Sequence, residues 1–175
     1  MGRALIPDLR PPEPLTASHA LSGFDCGEPA LDDWLQRRAP QNQVSGASRT
    51  FVSATAEGQV VASYALAPSA IAPTIAPGRF RRNMPDPTPV VVLARLAIAK
   101  PYQGRGLARA LFQDAGTRVV HAADAIGIRG LLVHAVSAEA KAFYLALGLE
   151  LSPLEPMTLM TTLADLRSAY GAPRA

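Results

Sequence analysis

The sequence predicts an α+β fold in which a mixed β-sheet is flanked by helices. Two β-rich runs, 50–56 and 59–67, are separated by a tight Glu57-Gly58 turn, which favours an antiparallel hairpin. An apolar run at 90–99 is followed by a helical pattern and a second β-rich run at 130–135, the order of a parallel βαβ unit. A hairpin and a βαβ unit in one chain make the sheet mixed.

Length and composition bound the class of protein. The 175 residues are 49% hydrophobic and 18% charged, which suits a single domain, 1–175, with a sizeable core. No apolar run approaches the roughly 18 residues that span a membrane, and the N-terminus lacks the apolar core of a signal peptide. We therefore expect a cytoplasmic protein with no membrane partner. One cysteine and three scattered histidines give no metal-ligand spacing, so we expect no metal.

The N-terminal half supplies one helix before the hairpin and a long connection after it. Residues 1–14 contain four prolines and are expected to form an extended lead-in. Capping and proline signals at 25–29, with Leu31, Trp34 and Leu35 at helical spacing, predict a helix over 28–44. Residues 68–89 contain six prolines, so we expect a long exposed loop with no regular element.

The C-terminal half reads as strand, helix, strand, helix, strand. Strand 90–99 is apolar except at Arg95, as in a central strand covered on both faces. A buried Arg95 would need an acid, a phosphate or a carbonyl as its partner. The elements expected after this strand are a helix over 104–126, a strand over 130–135, a helix over 138–147, a strand over 156–163 and a polar tail over 164–175.

A glycine-rich turn joins strand 90–99 to the next helix. Gly104 and Gly106 lack a Cβ, so several amide N–H groups can face one point, where the helix dipole adds positive potential. This arrangement predicts a pyrophosphate site, whereas a simple helix entry is the alternative when the pattern stands alone. A Rossmann dinucleotide site would need a third glycine and an acidic strand end, which Ala108 and the helical Asp124 do not supply.

Residues 103–108, Gln-Gly-Arg-Gly-Leu-Ala, resemble the Q/R-x-x-G-x-G/A pyrophosphate signature of the GNAT superfamily of acetyl-CoA-dependent N-acetyltransferases. Residues 137–149 are similar to the A-x-x-F-Y-x-x-x-G-F motif that closes the same fold. The resemblance implies a GNAT fold with two splayed parallel strands, and acetyl-CoA as co-substrate. The residues that it places on acetyl-CoA are Leu96, Ala97, Ile98, Gln103, Gly104, Arg105, Gly106, Leu107, Ala108 and Ser137.

Tyr144 is the candidate catalytic residue. The CoA thiolate that leaves when an amine attacks the thioester needs a proton or a hydrogen bond, which a phenol with a pKa near 10 can supply. The alternative is that Tyr144 only packs on the apolar face of its helix.

The charge distribution and the pKa values of amines both indicate which amine receives the acetyl group. Residues 36–105 carry nine basic residues against two acidic ones, and 15 of the 17 basic residues are arginine. This suits a polyanionic partner, although a GC-rich genome would give the same arginine excess. No acidic residue is an obvious base for a lysine-like amine, whose pKa is about 10.4, whereas an α-amine of pKa about 8 is partly neutral without one. An aminoacyl-tRNA offers both the α-amine and the polyanion.

Five segments look like the GNAT toxins of bacterial type II toxin–antitoxin modules: 24–35, 42–51, 93–97, 132–135 and 156–160. That resemblance implies transfer of acetyl to the α-amine of aminoacyl-tRNA, which blocks translation. It also implies a ribbon-helix-helix antitoxin, operator DNA bound through that antitoxin, and a homodimer. The expected RNA-facing residues are Arg37, Arg38, Arg49, Arg79, Arg81, Arg82 and Arg95. The alternatives are a GNAT enzyme for a small-molecule amine or a protein N-terminus, and a non-catalytic CoA-binding module.

Overall fold

A computed structural model describes residues 8–171. The strands, in chain order, are β1 (Glu13–Pro14), β2 (Arg49–Ala54), β3 (Val60–Ile71), β4 (Thr88–Ile98), β5 (Gly130–His134), β6 (Glu150–Leu151) and β7 (Thr158–Thr162). They form a sheet of order β1-β2-β3-β4-β5-β7-β6. β4 and β5 run parallel, whereas β2–β3 and β5–β7 are antiparallel, so the predicted mixed sheet is confirmed.

The helices are α1 (Pro29–Asp33), α2 (Ala39–Ser45), α3 (Gly78–Arg81), α4 (Leu107–Ala122), α5 (Ala138–Ala146) and α6 (Leu163–Tyr170). Shorter turns are a π-helical turn at Trp34–Arg38 and 3₁₀ turns at Pro73–Ile75 and Lys100–Tyr102. Within the described residues, no helix is long and apolar enough to cross a membrane. In the same part of the chain, no group of three or more His, Cys, Asp or Glu residues is placed to hold a metal ion.

The chain divides into two compact units. The first unit contains residues up to 67 together with 94–114, and the second contains 68–93 together with the chain from 115 onward. The single domain over 1–175 stays a prediction.

The first unit contains the predicted hairpin and the predicted N-terminal helix. β2 and β3 pair from Arg49↔Leu66 to Ala54↔Val60, as expected. The helix predicted over 28–44 is present, but a π-helical turn separates α1 from α2. Pro40 explains the interruption, because its ring displaces the carbonyl one turn earlier and it has no N–H to donate.

In the second unit, β5 pairs with β7 from Gly130↔Thr162 to His134↔Thr158. The expectation that 68–89 contains no regular element is wrong, because β3 continues to Ile71 and the segment includes a 3₁₀ turn and α3. Most of the segment is exposed, as expected. Phe80 of α3 is only 2% exposed and belongs to a core cluster with Leu132 and Met160. A large apolar side chain therefore fixes a segment whose prolines suggested a loop.

The expected polar tail over 164–175 is also wrong for most of its length, because Leu163–Tyr170 forms α6. Thr162 caps this helix, its Oγ1 accepting a hydrogen bond from the Asp165 N–H at 3.1 Å, and Leu166 is buried. Residues 172–175, and residues 1–7 of the expected lead-in, lie outside the described part.

Candidate active site

The parallel strands pair over a short stretch. Val91–Leu93 of β4 pair with Leu131–Val133 of β5, whereas β4 continues to Ile98. Leu96 and Ile98, expected to face pantetheine with Ala97, are half-buried, and Ala97 is buried. The last part of β4 therefore extends beyond its pairing with β5, as the splayed-strand expectation requires.

The predicted pyrophosphate loop lies in the first unit, between the 3₁₀ turn and α4. Gly104 and Gly106 have φ of 75° and 80°, a conformation that favours glycine, and a Cβ added at either would meet no atom within 4 Å. Among the described residues, no group accepts a hydrogen bond from the N–H of residues 104–108. Because unpaired amides, open space and the start of a 16-residue helix coincide here, the loop fits a phosphate group.

The backbone N–H of Gln103, a residue expected on acetyl-CoA, donates to the Lys100 carbonyl at 3.2 Å. Its side-chain Nε2 donates to the carbonyls of Cys26 and Ile98, both at 2.8 Å. Beside it, the Lys100 N–H donates to the Asp25 carbonyl at 2.9 Å, and the two side chains form a salt bridge at 3.3 Å. Gln103 therefore ties the loop to the segment that precedes α1.

Arg105 of this loop stacks on Tyr102. The guanidinium carbon of Arg105 lies 5.6 Å from the centroid of the Tyr102 ring, and the arginine is exposed. An exposed cation at this position adds positive potential near the open amides without blocking them.

In the second unit, α5 carries the candidate catalytic residue. Tyr144 is 7% exposed, and burial raises the pKa of its phenol to about 12. The phenol therefore keeps its proton at neutral pH and is a hydrogen-bond donor. Phe143 lies edge-on to it, with ring centroids 5.2 Å apart. Ser137, expected on acetyl-CoA, caps α5, and its Oγ accepts from the Ala140 N–H at 3.1 Å.

Four of the seven arginines expected on RNA lie in the first unit. Arg37 pairs with Asp33 at 2.9 Å, Arg49 donates to the Gln43 carbonyl at 2.9 Å, and Arg38 is exposed. These contacts are at the surface, where ion pairs contribute little and side chains remain able to reorient.

The expectation of a buried Arg95 is wrong. Arg95 is exposed, and its guanidinium carbon lies 5.3 Å from the centroid of the Trp34 ring. Its φ is 59°, which breaks the regular alternation of β4 and releases the side chain from the covered faces. The partner of the Arg95 guanidinium is therefore the Trp34 ring, and not the acid, phosphate or carbonyl expected for a buried arginine.

The other three arginines lie in the second unit. Arg79 bonds to Asp165 at 2.5 Å and reaches Glu150 at 3.7 Å. The Arg79 guanidinium lowers the pKa of Asp165 below its usual value. Arg81 and Arg82 are exposed, and no other described residue forms a hydrogen bond or ion pair with either side chain. These two therefore offer charge to a partner more readily than Arg79.

Arg129, for which the sequence carries no functional signal, holds α3 in place. Its Nε donates to the Phe80 carbonyl at 2.7 Å, and a terminal nitrogen donates to the Arg79 carbonyl at 2.8 Å. Its guanidinium carbon also lies 5.7 Å from the centroid of the Phe80 ring. Both carbonyls are about 50 residues away along the chain, so no local pattern could have indicated the contact.

The Acetyltransferase (GNAT) domain family matches residues 47–150 of the chain. The chain belongs to the GNAT acetyltransferases. The match contains β2–β5, Tyr144 and the loop at residues 104–108 with its unpaired N–H groups, called the open-amide loop below. The predicted fold class is confirmed.

Three individual proteins are similar to this chain over nearly its whole length. The chain is 48% identical over 160 residues to the "tRNA-acetylating toxin" of Mycobacterium tuberculosis (strain ATCC 25618 / H37Rv), covering 91% of this chain and 96% of the relative. The structure of AtaT complexed with acetyl-methionyl-tRNAfMet matches with 31% identity and a TM-score of 0.85, covering 93% and 99% of the two chains. A mutant AtaT toxin bound to the C-terminus of the antitoxin AtaR and acetyl-CoA matches with 28% identity and a TM-score of 0.79, covering 94% and 99%.

Proposed function

We propose that this enzyme transfers acetyl from acetyl-CoA to the α-amine of aminoacyl-tRNA and thereby acts as a translation-blocking toxin. The observation that carries the proposal is the 48% identity to a tRNA-acetylating toxin over 91% of the chain. That similarity extends through both the open-amide loop and the helix of Tyr144. The acylated α-amine can no longer attack a peptidyl ester, because its lone pair is delocalised into the new amide.

The open-amide loop would hold the pyrophosphate of acetyl-CoA. The N–H groups of residues 104–108 need acceptors, and two phosphates supply several charged oxygens that accept short hydrogen bonds. Recognition by main-chain groups depends on the backbone shape and not on side chains at 105, 107 and 108. The roles of Leu96, Ala97 and Ile98 toward pantetheine remain part of this proposal.

Tyr144 would stabilise the leaving thiolate through a hydrogen bond. Its phenol has a pKa of about 12, whereas thiols have a pKa near 8.5, so full transfer of the phenolic proton to the thiolate is unfavourable. A hydrogen bond to a charged acceptor contributes about 1.5–3 kcal/mol. The buried phenol therefore lowers the barrier to C–S cleavage while keeping its proton.

The exposed arginines would bind the RNA backbone. Arg38, Arg81 and Arg82 are the strongest candidates, because nothing else among residues 8–171 forms an ion pair with them. Arg95 adds a guanidinium already stacked on Trp34, a surface on which a nucleobase can also stack. Replacing an arginine that contacts a phosphate should weaken tRNA binding. It should also make the slope of log K against log salt concentration shallower by about one unit.

We further propose a ribbon-helix-helix antitoxin as partner, operator DNA bound through that antitoxin, a homodimer and a cytoplasmic location. An AtaT toxin solved with the C-terminus of its antitoxin supports the antitoxin partner. The dimer is testable by light scattering of the purified protein, and the DNA complex by a shift assay in which toxin alone and toxin with antitoxin are compared.

The deciding experiment is incubation of the purified protein with labelled acetyl-CoA and separate pools of charged tRNA. We expect acetyl label on aminoacyl-tRNA and none on uncharged tRNA. Polyamines, an aminoglycoside and a peptide with a free N-terminus are the competing acceptors. Turnover of one of these with no labelled aminoacyl-tRNA would overturn the proposal in favour of an enzyme for a small-molecule amine or protein N-terminus.

A further inference from the structure

His134 lies at the carboxyl end of β5, directly after Val133, the last residue of β5 that pairs with β4. Ligands of parallel sheets bind where such strands end. The side chain is exposed, and its backbone is fixed on both sides, by the His134↔Thr158 pair and by the Ala135 N–H, which donates to the Met157 carbonyl at 2.7 Å. His134 is thus an exposed imidazole on a rigid strand end.

A chain of hydrogen bonds runs from this imidazole to a carboxylate. His134 Nδ1 lies 3.0 Å from Thr158 Oγ1, and Thr158 Oγ1 donates to Glu155 Oε2 at 2.8 Å. Thr158 is only 3% exposed, so these two partners satisfy a hydroxyl that has little access to water.

The chain determines which nitrogen of His134 carries the proton. A threonine hydroxyl has one hydrogen, and a carboxylate can only accept. Since the Thr158 hydrogen goes to Glu155, the contact with His134 requires Nδ1–H to donate to Oγ1. The neutral ring then has its lone pair on Nε2, and no described residue forms a hydrogen bond or ion pair with that nitrogen.

We propose that His134 is the proton acceptor for the attacking amine; this inference rests on the acetyl transfer proposed above. Nε2 has a free lone pair, the Thr158 hydroxyl holds the tautomer, and Glu155 stabilises the imidazolium through that hydroxyl. The sequence offers no obvious acidic base for the attacking amine, and a histidine held in this way can accept the proton instead. Glu155 is the charged group that the hydrogen-bond chain connects to the ring.

The nitrogen lone pair of the neutral α-amine forms a C–N bond with the thioester carbonyl carbon, and the C=O π pair moves to oxygen. The nitrogen, now cationic, gives one proton to His134 Nε2. The oxygen pair re-forms C=O, and the C–S bond breaks. The thiolate leaves, hydrogen-bonded by the phenol of Tyr144, and later takes a proton from water, while the imidazolium returns its proton to water.

The test compares His134→Asn with His121→Asn in the full-length enzyme on aminoacyl-tRNA. Asparagine can still donate to Thr158 but has no basic nitrogen, and His121 is an exposed histidine of α4 outside the hydrogen-bond chain. We expect kcat to fall about 100-fold in His134→Asn, in the range of general-base catalysis, with unchanged acetyl-CoA affinity by calorimetry. His121→Asn should match wild type.

Two further measurements separate a proton acceptor from a packing residue. Added imidazole should restore part of the kcat of His134→Ala, and Thr158→Ser should retain activity that Thr158→Val loses. Wild-type kcat in His134→Asn, or loss in His134→Ala that imidazole does not restore, overturns the proposal. If the wild-type enzyme acetylates a different amine, the proposed substrate fails, and the same variants on that amine still decide the role of His134.

Discussion

Replacing Gln103 with alanine should loosen the open-amide loop from the segment before α1. The change removes two hydrogen bonds, from Nε2 to the carbonyls of Cys26 and Ile98, both at 2.8 Å. Each such bond contributes about 0.5–1.5 kcal/mol, and Gln103 is exposed, so water can replace part of the loss. We expect the free energy of unfolding to fall by about 1–2 kcal/mol. Acetyl-CoA binding should weaken about tenfold, the equivalent of 1.4 kcal/mol.

Calorimetric titration with acetyl-CoA and denaturant unfolding measure the two effects separately. Gln41→Ala, in an exposed position of α2, is the matched control and should change neither. Gln103→Glu should bind acetyl-CoA more weakly than Gln103→Ala, because a carboxylate cannot donate to the two carbonyls and repels the pyrophosphate. An unchanged acetyl-CoA affinity in Gln103→Ala would refute the idea that this side chain shapes the loop.

Three other substitutions test the site and the second unit. Tyr144→Phe should fold normally and bind acetyl-CoA, but kcat should fall about 10- to 150-fold from the loss of one charged hydrogen bond; an unchanged kcat would remove the phenol from the reaction. Gly130→Ala should lower the melting temperature by about 6–12 °C or prevent folding, since its Cβ would lie 2.0 Å from the Thr161 carbonyl oxygen; a wild-type melting curve would contradict this packing. The pKa of Asp165 is lower in the folded protein than in the unfolded chain, where it is about 3.8, so its ionised carboxylate stabilises the fold above that pH. This stabilisation is lost as the pH falls below about 3.8 and then through the folded-state pKa. Denaturant unfolding should therefore show a difference between wild type and Arg79→Ala at pH 6 that narrows below pH 4, and a constant difference would contradict the ion pair.

Local sequence patterns predicted the elements whose signals are local. The hairpin, the βαβ order and α5 followed from alternation, glycine stops and capping residues, and their bounds agree within a few residues. The loop at 103–106 could also be predicted from the sequence. Glycine favours positive φ, and both Gly104 and Gly106 have positive φ in the structure.

The errors arose where distant residues determine the local structure. The prolines of 68–89 predicted a loop. Part of this segment is instead a helix, because the ring of Phe80 is buried and Arg129 donates hydrogen bonds to its backbone. The apolar residues around it predicted that Arg95 is buried, but Arg95 itself has a left-handed backbone conformation, and its side chain stacks on Trp34. Neither contact can be inferred from a window of sequence.

Residues that act together through hydrogen bonds were the hardest to find. His134 was visible only as part of a family-like segment, because its partners Thr158 and Glu155 are more than 20 positions away. The strand register that places His134 opposite Thr158 gives the imidazole its tautomer.

The loop at 104–108 has backbone N–H groups that donate to no other described residue, and every amino acid except proline has the same N–H. Most single-codon changes there replace a side chain without removing a donor. In cells selected to silence this gene, missense changes that abolish coenzyme capture should therefore collect at the two glycines, and many other survivors should carry frameshifts or stop codons. Sequencing such survivors would measure how robust an enzyme becomes when its binding surface is made of backbone.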